Sequence, residues 1–225
     1  MNERMTAAYD DIADWYETSF LNPRSDDDPI GIRAALGELL PAGSGVCLEL
    51  GCGTGVYAAP VRQRGWTPIG VDLSSGMLGH ARGRLPIAQA DAARMPIADR
   101  SVDAVLSMMA HTDMPDYSTV LSEVRRVLRT GGIFVHIGVH PCFCGGFADW
   151  TDRAAVVIRP GYRDTYFTRE SWTSEGIRDK VGAVHRPLPE LLTMVIEAGL
   201  RFERFAEGPG EPIPTVFGFR AVASG

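Results

Sequence analysis

The sequence predicts an α/β fold on a doubly wound, mostly parallel sheet of seven strands with one antiparallel edge strand. Three observations carry that expectation. Short apolar runs alternate with amphipathic stretches along the chain, the pattern of strands and crossover helices in one sheet. The apolar runs lack strict alternation, as strands covered on both faces do. A glycine-dense stretch, "LELGCGTG" at residues 48–55, sits where the first run gives way to an amphipathic one, the kind of turn at which open sheets bind ligands.

Strands are expected at 46–50, 67–72, 86–89, 102–107 and 133–139, with two more at 201–206 and 215–222. A helix beginning near Val56 follows the glycines. "YSTVLSEVRRVLRTGG" puts Val120, Leu121, Val124, Val127 and Leu128 on one stripe, as an amphipathic helix requires. Arg125, Arg126 and Arg129 fall in its last turns, where cations suit the dipole, and Gly131–Gly132 are expected to end it. "PLPELLTMVIEAG" repeats the pattern with Leu188, Leu191, Leu192, Val195 and Ile196, closed by Gly199. The Pro/Gly-rich "EGPGEPIP" separates the last two strands. A late helix followed by a final strand pair is what gives the sheet its antiparallel edge.

At 225 residues the chain suffices for one large domain, 1–225, with a sizeable core. A formal net charge of −6 argues against phosphate-driven nucleic-acid binding, and no nucleic-acid partner is expected. The N-terminus has acids throughout and no apolar core of a secretory signal. No run has the length of a membrane span. Cys47, Cys52, Cys142 and Cys144 lack a disulfide-framework context, which fits reduced thiols in a cytoplasmic protein. "HPCFC" (140–144) lacks a second ligand pair at zinc spacing, so no metal site is expected.

Gly51, Gly53 and Gly55 allow unusual φ values and let a ligand touch the main chain. An acid that reads a ribose belongs at the end of the second strand, about 20 residues on; Asp72 in "IGVDLS" is placed there. A dinucleotide fingerprint would need a third glycine where Val56 stands, which weighs against a nicotinamide oxidoreductase.

"LELGCGTG" resembles motif I of the class I S-adenosylmethionine (SAM)-dependent methyltransferases, in their type 11-like group. "VDLS", "QADAARMPIADRSVDAVLSMMAH" and "EVRRVLRTGGIFV" resemble further family elements, in order, over roughly residues 9–140. The resemblance implies a Rossmann-like fold with SAM as cofactor and S-adenosylhomocysteine as product. It implies that Gly51, Cys52 and Gly53 seat the cofactor, that Asp72 holds the ribose and that Asp91 accepts from the adenine amino group. Leu73, Met77, Ala92 and Met108 would line the adenosine pocket. Glu49 either touches the cofactor tail or holds the loop, and Gly55 serves helix packing. "YDDIADWYETSF" resembles the leading helix (5–20) that covers the pocket; Tyr9 and Tyr16 there either bond the methionine carboxylate or dock the helix.

A sulfonium is a good leaving group, so positioning is the main task. A hydroxyl acceptor gains from a base, and histidine titrates in the right range. His140, after the fifth strand, and His111, after the fourth, are the candidate catalytic residues. His136 reads as a core histidine, His80 and His185 as solvent-facing. An insertion at 142–186 carries Phe143, Phe147, Trp150, Tyr162, Tyr166, Phe167 and Trp172, which suits a folded cap over an apolar small-molecule acceptor. Arg153, Arg159 and Arg163 are surface charges or hold an acidic acceptor. The expected activity is methyl transfer to a small organic molecule, at oxygen before nitrogen or carbon. The alternatives are a macromolecular (RNA or protein) methyltransferase and a SAM-binding scaffold that does not methylate. The oligomeric state is not legible.

Overall fold

A computed structural model describes residues 7–21, 28, 30–152, 154–171, 176–210 and 213–224. In chain order the strands are β1 (Val46–Leu50), β2 (Thr67–Asp72), β3 (Ile87–Gln89), β4 (Val102–Met108), β5 (Leu128–Val139), β6 (Ala148–Asp149), β7 (Val157–Ile158), β8 (Tyr166–Thr168), β9 (Ala183–His185), β10 (Leu200–Glu207) and β11 (Val216–Ala223). The α-helices are α1 (Ala13–Trp15), α2 (Ile32–Leu39), α3 (Ala58–Gln63), α4 (Ser75–Ala81), α5 (Tyr117–Val127), α6 (Ile177–Val181) and α7 (Leu188–Glu197).

Seven strands form one sheet in the order β10-β11-β5-β4-β1-β2-β3. Its strands are parallel except β11, which runs antiparallel to β5 on one side and to β10 on the other. The order reverses at β1, so the crevice beyond β1 and β4 is the switch point of the fold. The register sets Leu50 beside both Val71 and Ser107, which brings the glycine loop, Asp72 and the end of β4 to one rim.

Both faces of the sheet are covered, as its continuous apolar strands demand. Leu48, Leu50, Val71 and Val105 pack with Tyr117, Val120, Leu121 and Val124 of α5 and Leu191 and Val195 of α7. Cys47, Ala104, Leu106 and Ile137 pack with Ala35, Leu36 and Leu39 of α2 and Val61 of α3. Each fully buried Leu or Phe contributes about 1.5–3 kcal/mol. Ile196, expected on the buried stripe of α7, is instead 60% exposed.

α5 starts where Asp116 accepts from the Thr119 N–H at 3.1 Å, a side-chain N-cap. It does not run to Gly131–Gly132 as expected. The chain turns extended at Leu128, which pairs with Val102 as β5 begins. Gly131 (φ +76°) lies within that strand, and Arg129 pairs with Asp103 rather than facing the helix dipole. Among the described residues no helix is long and apolar enough to cross a membrane.

Between β5 and α7 the chain makes two small antiparallel ribbons, β6 with β7 and β8 with β9, and the short α6. Phe147 and Ala148 are buried there, while Phe167 is 58% exposed. Arg159 bonds Asp149, and Arg163 is exposed. Arg153 and Trp172 lie outside the described residues.

Candidate functional site

The first strand ends in a loop that only glycine fits. Gly51 and Gly53 have φ of +64° and +52°, the left-handed region that L side chains rarely adopt. A Cβ on Gly51 would lie 2.9 Å from the Ala110 Cβ, and one on Gly53 would lie 3.2 Å from the Met77 Cε. Gly55 (φ +74°) serves packing, since a Cβ there would meet Leu85 at 2.6 Å.

Asp72 at the end of β2 fixes this loop. Its Oδ2 accepts the Gly53 N–H at 2.7 Å and its Oδ1 the Ser74 N–H at 2.8 Å. Burial raises its carboxyl above the usual range, and these N–H donors oppose the rise. Each oxygen keeps acceptor capacity for a further donor. The next helix is capped by Ser74, whose Oγ accepts from Met77 N at 3.1 Å.

The loop forms the floor of a cavity of about 410 Å³, within the size range of small-molecule sites, about 300–1,000 Å³. Tyr9, Tyr16, Gly51, Gly53, Asp72, Leu73, Met77, Asp91, Ala92 and Met108 all line it. Glu49 and Cys52 line an adjoining lobe that shares Tyr16, Gly51, Gly53 and Met108 with the main cavity. The Cys52 sulfur packs beneath the loop, where a Cβ on Gly70 would meet it at 2.6 Å.

Glu49 is 3% exposed and its Oε1 has no hydrogen-bond partner. Burial pushes its carboxyl up to about 8. A buried carboxylate in that condition calls for a cation or a donor. Asp91 follows β3, and its Oδ1 accepts from Ala93 N at 2.8 Å.

The N-terminal segment closes one wall with a 3-10 turn at Asp10–Ile12, α1 and a π-turn at Tyr16–Phe20. Three acids fasten it. Asp10 Oδ1 accepts from the Gly76 N–H at 2.9 Å and from Ser74 Oγ at 2.7 Å. Asp14 meets His80 at 2.8 Å, and Glu17 meets Arg84 at 2.5 Å. The Tyr9 and Tyr16 rings contact edge to face, 5.7 Å between centroids; burial raises both hydroxyls well above their usual range.

The far wall comes from the end of β4 and the insertion. Met109 takes φ +56°, a strained setting for a bulky residue and one often found at functional sites. Thr112, Asp113 and Met114 follow it along the wall, facing Phe167, Val181, Gly182 and Val184. Asp113 was not anticipated from sequence. Its Oδ1 accepts from Arg178 Nη1 at 3.2 Å, and the Tyr9 hydroxyl bonds it too. Burial pushes its carboxyl up to about 6, against the pull of Arg178 and Tyr9. Its one sequence signal was an acid two residues past His111.

Neither candidate histidine lines the cavity. His140 is 3% exposed; its Nε2 bonds Glu207 at 2.9 Å and its Nδ1 accepts the Cys142 N–H at 3.1 Å. With both nitrogens engaged, the ring orders the start of the insertion. His111 lies behind the wall, its ring 4.8 Å from that of His136. Burial holds His111 well below the usual imidazole range, with His136 adding to the effect. His136 stacks on Phe219 in the core, and burial brings it down to about 3. His185, expected to face solvent, is 5% exposed and bonds the Tyr162 carbonyl at 2.8 Å.

Comparison with known proteins bears on the fold and on the glycine-loop segment. The model of a family described as "Methyltransferase domain" matches residues 48–136. A fatty-acid O-methyltransferase of Mycolicibacterium smegmatis is 38% identical over 101 residues, 42% of this chain and 37% of that protein. An uncharacterised protein of Mycobacterium tuberculosis is 31% identical over 141 residues, 57% of this chain and 49% of that one. The matches thus span half or less of these relatives' length. A SAM-dependent methyltransferase structure from Mesorhizobium loti superposes with a TM-score of 0.69 at 21% identity, covering 84% of this chain and 95% of that one. Residues 48–136 therefore match a methyltransferase domain, and the chain has the Rossmann-like fold of the SAM-dependent methyltransferase structures.

Proposed function

We propose that this chain, one domain over 1–225 with its cap at 5–20 and its insertion at 142–186, transfers the methyl group of SAM to a small organic acceptor, at oxygen. The observation that carries this reading is the cavity itself. One volume of about 410 Å³ joins the glycine floor and Asp72 to an apolar wall made by the insertion. The chain's net charge is −6, which favours a small acceptor over RNA.

SAM supplies an activated methyl group on a positively charged sulfur. The protein's share is placement. Gly51 and Gly53 admit the ligand against the main chain, Asp72 is set to take ribose hydroxyls, and Asp91 and Ala92 stand where an adenine would end. Glu49, protonated in the ligand-free side lobe near neutral pH, would ionise against an ammonium group of the ligand. Tyr9 and Tyr16 close the wall and keep water out, which strengthens every charge contact inside.

The Mycolicibacterium relative is named for fatty acids, and an acid acceptor is one form of O-methylation. A SAM-fold protein can also serve a different reaction, because fold alone does not establish activity. Incubation with methyl-labelled SAM and a small-molecule extract, then with bulk tRNA, separates the readings. Label in the small-molecule fraction alone is expected. Label in tRNA would favour a macromolecular substrate, and label in neither, with SAM bound, would favour a scaffold.

A further inference from the structure

The charged residues that line the cavity are all acidic. Among the described residues Asp72, Asp91, Asp113 and Asp116 line it, and no Lys, Arg or His does. Three of these acids are satisfied by backbone N–H groups: Asp72 by Gly53 and Ser74, Asp91 by Ala93, and Asp116 by Thr119. Asp113 is held by side chains, Arg178 and Tyr9. Arg178 is 5% exposed, and its Nη1 is shared between Asp113 and the Gly182 carbonyl at 3.3 Å. Its charge is committed to Asp113 and to the backbone of the insertion.

Asp72 belongs to the floor and Asp91 to the loop after β3, so both lie on the side given above to the nucleoside. Asp113 lies beyond the end of β4 on the wall that also carries Met114, Phe167, Val181 and Val184, close enough to Asp72 for the two charges to interact. A carboxylate in an apolar wall with acceptor capacity to spare has one kind of natural partner, an N–H or O–H donor.

From this placement we infer that Asp113 is a specificity-determining residue of the acceptor site, and that the acceptor presents a hydroxyl or amine to it on an apolar frame rather than a carboxylate. This rests on the function proposed above and narrows it. A second carboxylate brought against Asp113 would meet like charge in a dry site, which costs both repulsion and desolvation. A donor-bearing acceptor gains a charge-assisted hydrogen bond there. Tyr9, bonded to the same carboxyl, holds it in position.

The test is calorimetric titration of the protein loaded with S-adenosylhomocysteine, near neutral pH, using three probes on one aromatic frame: phenethylamine, phenethyl alcohol and phenylacetate. The amine or the alcohol is expected to bind at least about ten-fold more tightly than phenylacetate. In Asp113→Asn that preference should shrink by a similar factor. Phenylacetate binding as tightly as either donor would overturn the inference. So would no binding of either donor at about 10 mM, or an unchanged preference in folded Asp113→Asn. Should Asp113→Asn not fold, the wild-type comparison of the three probes decides. Failure of S-adenosylhomocysteine itself to bind would instead strike at the reading on which this one rests.

Discussion

One guanidinium joins the N-terminal cap to the glycine loop: Arg84 Nη2 binds Glu17 Oε1 at 2.5 Å while its Nη1 donates to the Thr54 carbonyl at 2.8 Å. Glu17 is buried, and the contact with Arg84 draws its carboxyl below the usual range even though burial pushes the other way. Removing the guanidinium should leave the cap poorly anchored above a loop that has lost a tether. Arg84→Ala is therefore expected to weaken SAM binding about ten-fold, near the 1.4 kcal/mol of one charge-assisted bond. Calorimetry measures the affinity, and limited proteolysis should show earlier cleavage within residues 7–21.

Asp72→Ala removes the acceptor for Gly53 N–H and Ser74 N–H as well as the proposed ribose contact. SAM affinity should fall by about a hundred-fold or more, since charged hydrogen bonds are worth about 1.5–3 kcal/mol each. Asp72→Asn retains an oxygen for one N–H and should fall between the two. Equal affinity in wild type and Asp72→Ala would assign the residue to loop geometry alone.

Glu49 predicts a trade between stability and binding. Its carboxyl is raised by burial to about 8, so the folded state holds a proton that the unfolded state releases near pH 4.5. A raised carboxylate makes stability fall as pH rises through that window. Glu49→Gln abolishes the titration. Its melting temperature without ligand should exceed that of wild type, by a margin that widens from pH 5 to pH 8. SAM affinity should drop in the same variant, because the side lobe can no longer ionise against the ligand's ammonium group. Parallel melting curves across pH, with and without SAM, check both signs.

His140 should behave as a structural residue. His140→Ala breaks the contacts with Glu207 and the Cys142 N–H and empties space beside Phe143, 4.4 Å away between ring centroids. A loss of about 2–4 °C per kcal/mol is expected in melting temperature for a chain of this size. SAM affinity should be retained, and turnover measured well below the melting temperature should stay within about two-fold of wild type. A loss of turnover with stability intact would restore a role for this ring in the reaction.

What the sequence made legible was local. The strands from β1 to β4 follow from uninterrupted apolar runs, and the glycine loop with Asp72 follows from a short spacing along the chain. That Leu73, Met77 and Met108 line the cavity was readable only through resemblance, because a buried Leu or Met looks the same in a core. Departures from the expectations came where distant segments meet. His140 was read as a base because it follows β5, yet its partner Glu207 arrives from β10, 67 residues later. Asp113 escaped notice because its setting depends on Tyr9 from the cap and Arg178 from the insertion. The end of α5 was misplaced because pairing of Leu128 with Val102 outweighed the pull of a stripe that continued in register.

The central claim is that the loop from Gly51 to Gly55, with Asp72 and Glu49 beside it, is a seat for SAM. Isothermal titration of the purified chain with S-adenosylhomocysteine tests it most directly. The account predicts a saturable one-to-one isotherm that Asp72→Ala flattens and that NAD does not produce. A flat trace from folded wild-type protein, or a titration that responds to NAD and not to the homocysteine nucleoside, would contradict it.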